Sequence, residues 1–154
     1  MGGCAAAIAA LRNGIRVVMT EETDWIGGQL PQQGLSCPDE HPWIESFGAT
    51  PLYSDLRTAI REYYVRHYPL TEAAKTNKNL NPGSGAVSRL CHEPRVALAV
   101  LSNMLAPYLA SGKLTLLLQH KIEGADINGD KVKALKAHSL QTGDKIILTA
   151  PYFI

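Results

Sequence analysis

Cysteines, aromatic residues and long apolar runs are all scarce in this chain, and each shortage excludes something. Of 154 residues only three are cysteines, Cys4, Cys37 and Cys91. They are odd in number, widely spaced and form no Cys-x-x-Cys pair, so neither a zinc site nor a disulfide framework is indicated. A reduced, cytoplasmic location is the expectation. Aromatics make up 6% and do not alternate with the scattered Lys and Arg, and the net charge is +1. That balance gives no case for nucleic acid or a membrane surface as partner. No apolar stretch is long enough to span a bilayer. The apolar run at 4–11 has Arg12 and Arg16 behind it rather than a basic segment ahead of it, unlike a signal peptide. Ala6 stands where myristoylation wants Ser or Thr. What remains is 45% hydrophobic and 19% charged, the balance of a soluble globular protein.

The first thirty residues organise the rest. Gly3 opens a run of small residues, Cys4-Ala5-Ala6-Ala7-Ile8-Ala9-Ala10-Leu11, with strong helix propensity. Asn13-Gly14 stops it, Gly14 suiting the left-handed position just past a helix. Residues 15–20, Ile-Arg-Val-Val-Met-Thr, read as a short strand of a buried parallel sheet. Glu21 ends that strand. It lies 18 residues after Gly3. In dinucleotide-binding folds an acid about 20 residues past the glycine turn accepts hydrogen bonds from ribose hydroxyls. Gly3 therefore fits the last glycine of G-x-G-x-x-G, which permits close helix–strand packing. The first two glycines and their strand would precede Met1. Glu22 is the alternative acid. The same order of elements also occurs in α/β domains that bind nothing.

Glu21-Glu22-Thr23-Asp24-Trp25-Ile26-Gly27-Gly28-Gln29 resembles FAD-dependent oxidoreductases with a glutathione-reductase-like FAD-binding domain. The resemblance implies that Glu21 holds the adenosine ribose of FAD. It also implies that Gly27 and Gly28, with the adjoining Gln29, bring backbone close to the pyrophosphate or flavin end.

Residues 30–93 read as an insertion of loops and one helix. Residues 30–53 have no clear period. Asp39-Glu40-His41 reads as a solvated loop, and no further ligand of metal spacing is visible. Ser54-Asp55 caps a helix running to about Tyr68, with Leu56, Ile60, Tyr63 and Tyr64 as its apolar stripe. Asn-Pro-Gly-Ser-Gly at 81–85 is loop. Cys91 and His92 are weak candidates for redox or proton-transfer work, against a buried thiol and a helix-entry imidazole. Asp-Glu-His-Pro-Trp-Ile-Glu, Asn-Pro-Gly and Cys-His-Glu-Pro-Arg resemble a bacterial branch of the same family. The insertion would then build part of the substrate side of the flavin pocket.

Residues 94–154 return to the domain proper. Pro94 starts a helix that Pro107 kinks or restarts and Ser111-Gly112 ends, and Leu114-Thr115-Leu116-Leu117-Leu118 is a buried strand. Asn128-Gly129 is a primed-turn hairpin signal. Thr142-Gly143-Asp144 turns the chain into residues 145–150, and residues 150–154 read as one more strand. Helix, strand, antiparallel meander and strand is the order in which the family closes its sheet. There the backbone around Lys121-Ile122 would touch the adenine ring.

The fold expected is α/β: a partial Rossmann-like FAD-binding domain lacking its first strand, with a helical and loop insertion and an antiparallel β-meander. Its segments are residues 1–29, 30–93 and 94–154. FAD and an unidentified small-molecule substrate are the expected ligands, and self-association through exposed sheet edges is expected. Two alternatives stay open: an α/β domain that retains no cofactor, and an NAD-binding domain, where Glu21 would favour NAD over NADP.

Overall fold

The structure is a computed structural model and describes residues 1–35 and 37–154. Its elements in chain order are α1 (Gly2–Arg12), β1 (Val17–Glu21), α2 (Ile44–Phe47), α3 (Pro51–His67), α4 (Glu72–Lys75), α5 (Pro94–Ala110), β2 (Leu114–Leu118), β3 (His120–Asn128), β4 (Lys131–Ser139) and β5 (Lys145–Leu148). They fall into two compact units. The first is made of Met1 and residues 27–106, the second of residues 2–26 and 107–154.

In the second unit α1 buries Cys4, Ala7, Ile8 and Leu11, the i, i+3, i+4, i+7 face of a helix. It ends as expected. Gly14 has φ +80°, its N–H donates to Leu11 O, and the Ile15 N–H donates to Ala10 O. That is a Schellman closure, which needs a left-handed residue at the position glycine takes most easily. Gly112 closes α5 in the same manner, with φ +68°, through its own N–H to Leu109 O and that of Lys113 to Tyr108 O.

Each closure delivers the chain into a strand. β1 and β2 pair in parallel, from Val17 opposite Leu114 to Glu21 opposite Leu118. Both were expected to be buried, and neither is fully so: Val18 is 53% and Leu118 37% exposed. The reason is topological. This sheet has two strands only among the described residues, so a run apolar enough for a sheet centre lies at an edge.

The meander is a separate three-stranded antiparallel sheet in the order β3-β4-β5. Its first hairpin turns on Gly129-Asp130, since Asn128 pairs with Lys131. The turn is thus one residue later than the Asn-Gly signal suggests. Gly129 carries φ +62° at the first central position, where a type II′ turn requires it. The terminal residues 150–154 form no strand; Pro151 offers no N–H for a ladder.

In the first unit α3 starts at Pro51 rather than near Ser54. The fixed φ of proline suits the first helical position, and Thr50 precedes it without a side-chain cap bond. Leu56, Ile60 and Tyr64 are buried along α3, and so is Arg57. From α5, Val96, Ala97, Val100, Leu101 and Leu105 are buried. Two short helices, α2 and α4, occupy stretches that read as plain loop.

Candidate cofactor and substrate sites

Within the second unit, Glu21 is the last residue of β1. The loop that follows folds back on its carboxylate. Oε1 accepts the Thr23 N–H at 2.9 Å and lies 2.8 Å from the Thr23 hydroxyl. No group among the described residues engages Oε2. The same loop is tied to the end of β2, because Gln119 N–H donates to Thr23 O at 3.0 Å. Gln119 is the single residue between β2 and β3, and its φ of +55° makes the corner. This is an uncommon conformation for a side-chain-bearing residue. Its side-chain Oε1 is buried with no partner among the described residues, and its carbonyl accepts the Leu140 N–H at 2.7 Å.

Glu22 points elsewhere: it pairs with Lys121 Nζ at 3.3 Å, both half exposed. Ile122 is 37% exposed on β3 opposite Ala137, just before a bulge. Glu21, Glu22 and Ile122 therefore lie at one end of this unit. Gly3 sits on α1 with open space where a Cβ would be, so the close approach that its spacing calls for is made by no group among the described residues.

Gly27, Gly28 and Gln29 belong to the first unit. Gly27 is glycine by necessity. Its φ is +100°, and a Cβ there would come within 2.6 Å of Leu101 Cδ1 and 2.9 Å of Pro31 Cγ. Gly28 has φ +62° and a Cβ there would meet Met1 N at an ordinary contact distance of 3.6 Å, and Gln29 is exposed.

The three stretches that carried the resemblance in the insertion converge within this unit. Glu40, which reads as part of a solvated loop, is buried and bidentate on the guanidinium of buried Arg57. It also accepts the Tyr53 hydroxyl at 2.7 Å and the Ser88 hydroxyl at 3.1 Å. Glu45 binds Arg57 and Arg61 together. Burial works against ionising Glu45, but the two arginines outweigh it and hold its carboxyl below the ordinary value. Burial, with Glu40 as acceptor, pushes the Tyr53 phenol up to about 12.

Asn81 folds the 81–85 loop around Cys91. Its Oδ1 accepts the Cys91 N–H at 2.6 Å, its Nδ2 donates to Gly85 O and Ser88 O, and Gly83 N–H donates to Cys91 O. A Cβ on Gly85 would lie 2.6 Å from Cys91 Sγ. Burial, then the neighbouring Cys91 thiol, push the Cys37 thiol up. His92 is 2% exposed. Its Nδ1 lies 2.9 Å from Leu90 O, so the proton sits there, and Nε2 is buried without a partner among the described residues. Burial holds the ring below its ordinary value, hence neutral at pH 7.

Beside the arginine–glutamate cluster is a pocket of about 270 Å³ whose lining includes Trp43, Glu45, Ser46, Asn79, Asn81 and Arg89. Sequence reasoning missed this whole constellation. A signal was present: Arg57 and Arg61 are one helical turn apart, on a helix whose apolar stripe includes Ile60. Among the described residues no cluster of His, Cys, Asp and Glu could hold a metal ion, and no helix is long and apolar enough to cross a membrane.

A family model described as FAD dependent oxidoreductase matches residues 1–154. The chain belongs to the FAD-dependent oxidoreductase family. FAD is the cofactor of that family, as the first thirty residues led us to expect. No curated protein matches this family member. Among solved structures it is similar in fold to the Mycobacterium smegmatis Sdh1 complex in the apo form, with 13% identity and a TM-score of 0.58. It is similar also to Mycobacterium smegmatis Sdh1 in complex with UQ1, with 14% identity and a TM-score of 0.56. Those matches cover 96% of this chain but 31% and 30% of theirs.

Proposed function

We propose that this chain supplies the adenosine-binding part of a Rossmann-like FAD domain, and a substrate-side insertion, to a flavoprotein oxidoreductase. One observation carries the reading: the strand-end carboxylate of Glu21 has one oxygen fixed by Thr23 and the other without a partner among the described residues. A ribose diol needs an ionised acceptor held in one orientation, and that is what such a carboxylate offers. The residues present fit FAD in this respect. The backbone from Gln119 to Ile122, tethered to the Thr23 loop, flanks the adenine ring in this reading. Gly3 takes the pyrophosphate side in this reading, and for Gly27, Gly28 and Gln29 of the other unit that role rests on the family resemblance alone. Glu22, already paired with Lys121, is the weaker acid for the ribose.

FAD when bound supplies the two-electron chemistry. The chain orients it. His92 is suited to accept a proton at Nε2, and Cys91 is a buried thiol beside it. The insertion lends its polar pocket to the small-molecule substrate.

The open edge of β1, with Val18 at 53% exposure, favours a second reading in which chains associate through that edge and retain no cofactor. The two are separated by incubating the purified chain with excess FAD and desalting it. A retained flavin absorption band supports cofactor binding. A colourless, self-associated protein supports the second reading.

A further inference from the structure

We propose that the pocket at Trp43, Glu45, Asn79 and Arg89 binds a small polyhydroxylated acid, of the sugar-acid class. Its role as substrate rests on the preceding reading; the binding itself does not. At about 270 Å³ the pocket lies just below the usual range of ligand sites, roughly 300–1,000 Å³. That is room for one monosaccharide-sized ring and too little for a dinucleotide.

The lining specifies the ligand further. Trp43 is 60% exposed, an unusual position for so large an apolar ring. A flat indole left open beside amides and a guanidinium suits the apolar C–H face of a sugar ring, with hydroxyls reaching sideways. The Asn79 side-chain amide and the indole N–H have no partners among the described residues, so each is available to a hydroxyl. Asn81 is not: all its side-chain hydrogen-bonding groups hold the 81–91 loop. It shapes the wall and reads nothing.

Charge decides between a neutral sugar and an acid. The carboxylates of Glu40 and Glu45 are matched by Arg57 and Arg61, so those four groups carry no net charge. Arg89 is additional. Its backbone carbonyl is anchored by Arg61 Nη2 at 3.3 Å, while its exposed guanidinium has no partner among the described residues. A guanidinium held at its base and open at its tip is a receptor for a carboxylate.

The test is titration of the whole chain with glucuronate, glucose and acetate. Trp43 and Trp25 are the two indoles, so Trp25→Phe leaves fluorescence reporting on Trp43 alone. If that variant does not fold, the Trp43 indole N–H resonance of the unmutated chain serves instead. We expect a saturable response to glucuronate, with affinities for glucose and acetate at least about tenfold weaker. Arg89→Gln, followed by the same signal, should weaken glucuronate by about tenfold or more, as loss of a charged hydrogen bond does. Trp43→Ala, followed by calorimetry, should weaken it comparably. Absence of a saturable response, equal affinity for glucose, or indifference to Arg89→Gln would each overturn the assignment. FAD retention is read separately by visible absorption. A chain that holds FAD and ignores glucuronate contradicts only this inference, and one that binds glucuronate but stays colourless contradicts only the flavin reading.

Discussion

Thr23 grips one oxygen of Glu21 from two sides, through its backbone N–H at 2.9 Å and its hydroxyl at 2.8 Å. The hydroxyl has a second acceptor within reach, Trp25 O at 2.9 Å, so its single proton serves one or the other. The backbone bond persists for any residue but proline at 23. Thr23→Val should accordingly lower FAD affinity only several-fold, less than truncating Glu21, because the backbone bond remains and the hydroxyl proton is already divided between Glu21 and Trp25 O. Equilibrium titration by flavin fluorescence checks it.

The Glu40–Arg57 pair should matter more to stability than to cofactor binding. Side chains at 5% and 6% exposure leave almost no water to solvate a widowed charge. Breaking a buried pair by removing one member costs about 3–5 kcal/mol. Arg57→Met is therefore expected to lower the urea midpoint sharply. Arg66→Met, whose pair with Glu62 is exposed, should change it by about 0.5 kcal/mol or less.

Two glycines are expected to resist substitution for different reasons. Gly27→Ala meets both a left-handed backbone and a contact at 2.6 Å with Leu101. Gly85→Ala meets only the sulfur of Cys91, also at 2.6 Å. The second clash is with one atom of a small side chain. Gly85→Ala should thus be substantially rescued by Cys91→Ala, whereas Gly27→Ala should not be rescued by Leu101→Ala. Overpacking costs of about 1–3 kcal/mol are measurable by thermal denaturation.

Stability should fall with acidity in two steps. His92 has a lowered value in the folded chain, so the unfolded chain binds the proton first. Its contribution is full above the ordinary histidine value of about 6.5 and shrinks as pH drops toward the folded value. Glu45, also lowered, contributes above the ordinary glutamate value and loses that contribution as pH falls through its folded one. His92→Gln should flatten the first step and leave the second. Denaturation midpoints between pH 7 and pH 3 would show it.

Much of the second unit was legible because its signals are local. Gly14 and Gly112 announce helix ends through backbone demands that a glycine alone meets cheaply, and the spacing from Gly3 to Glu21 marks a helix and a strand of set length. The turn at Gly129 was legible to within one residue, because Asn-Gly names a turn type without fixing which residue pairs first. The first unit was hardly legible. Glu40 looks like loop because its partner Arg57 lies seventeen residues on, and Asn81 reaches Cys91 across ten. Such pairings follow from tertiary packing, which no periodicity encodes. Burial misled in the parallel pair: β1 and β2 are composed like interior strands, and each stands at an edge of a sheet of two strands among the described residues.

The central claim is that Glu21, and not its neighbour, takes the ribose of FAD. Titrating the chain, Glu21→Ala and Glu22→Ala with FAD tests it most directly. Loss of about tenfold or more in affinity for Glu21→Ala, as removal of a charged acceptor entails, with Glu22→Ala close to the unmutated chain, is the result predicted. Unchanged affinity in Glu21→Ala, or the larger loss in Glu22→Ala, would contradict it.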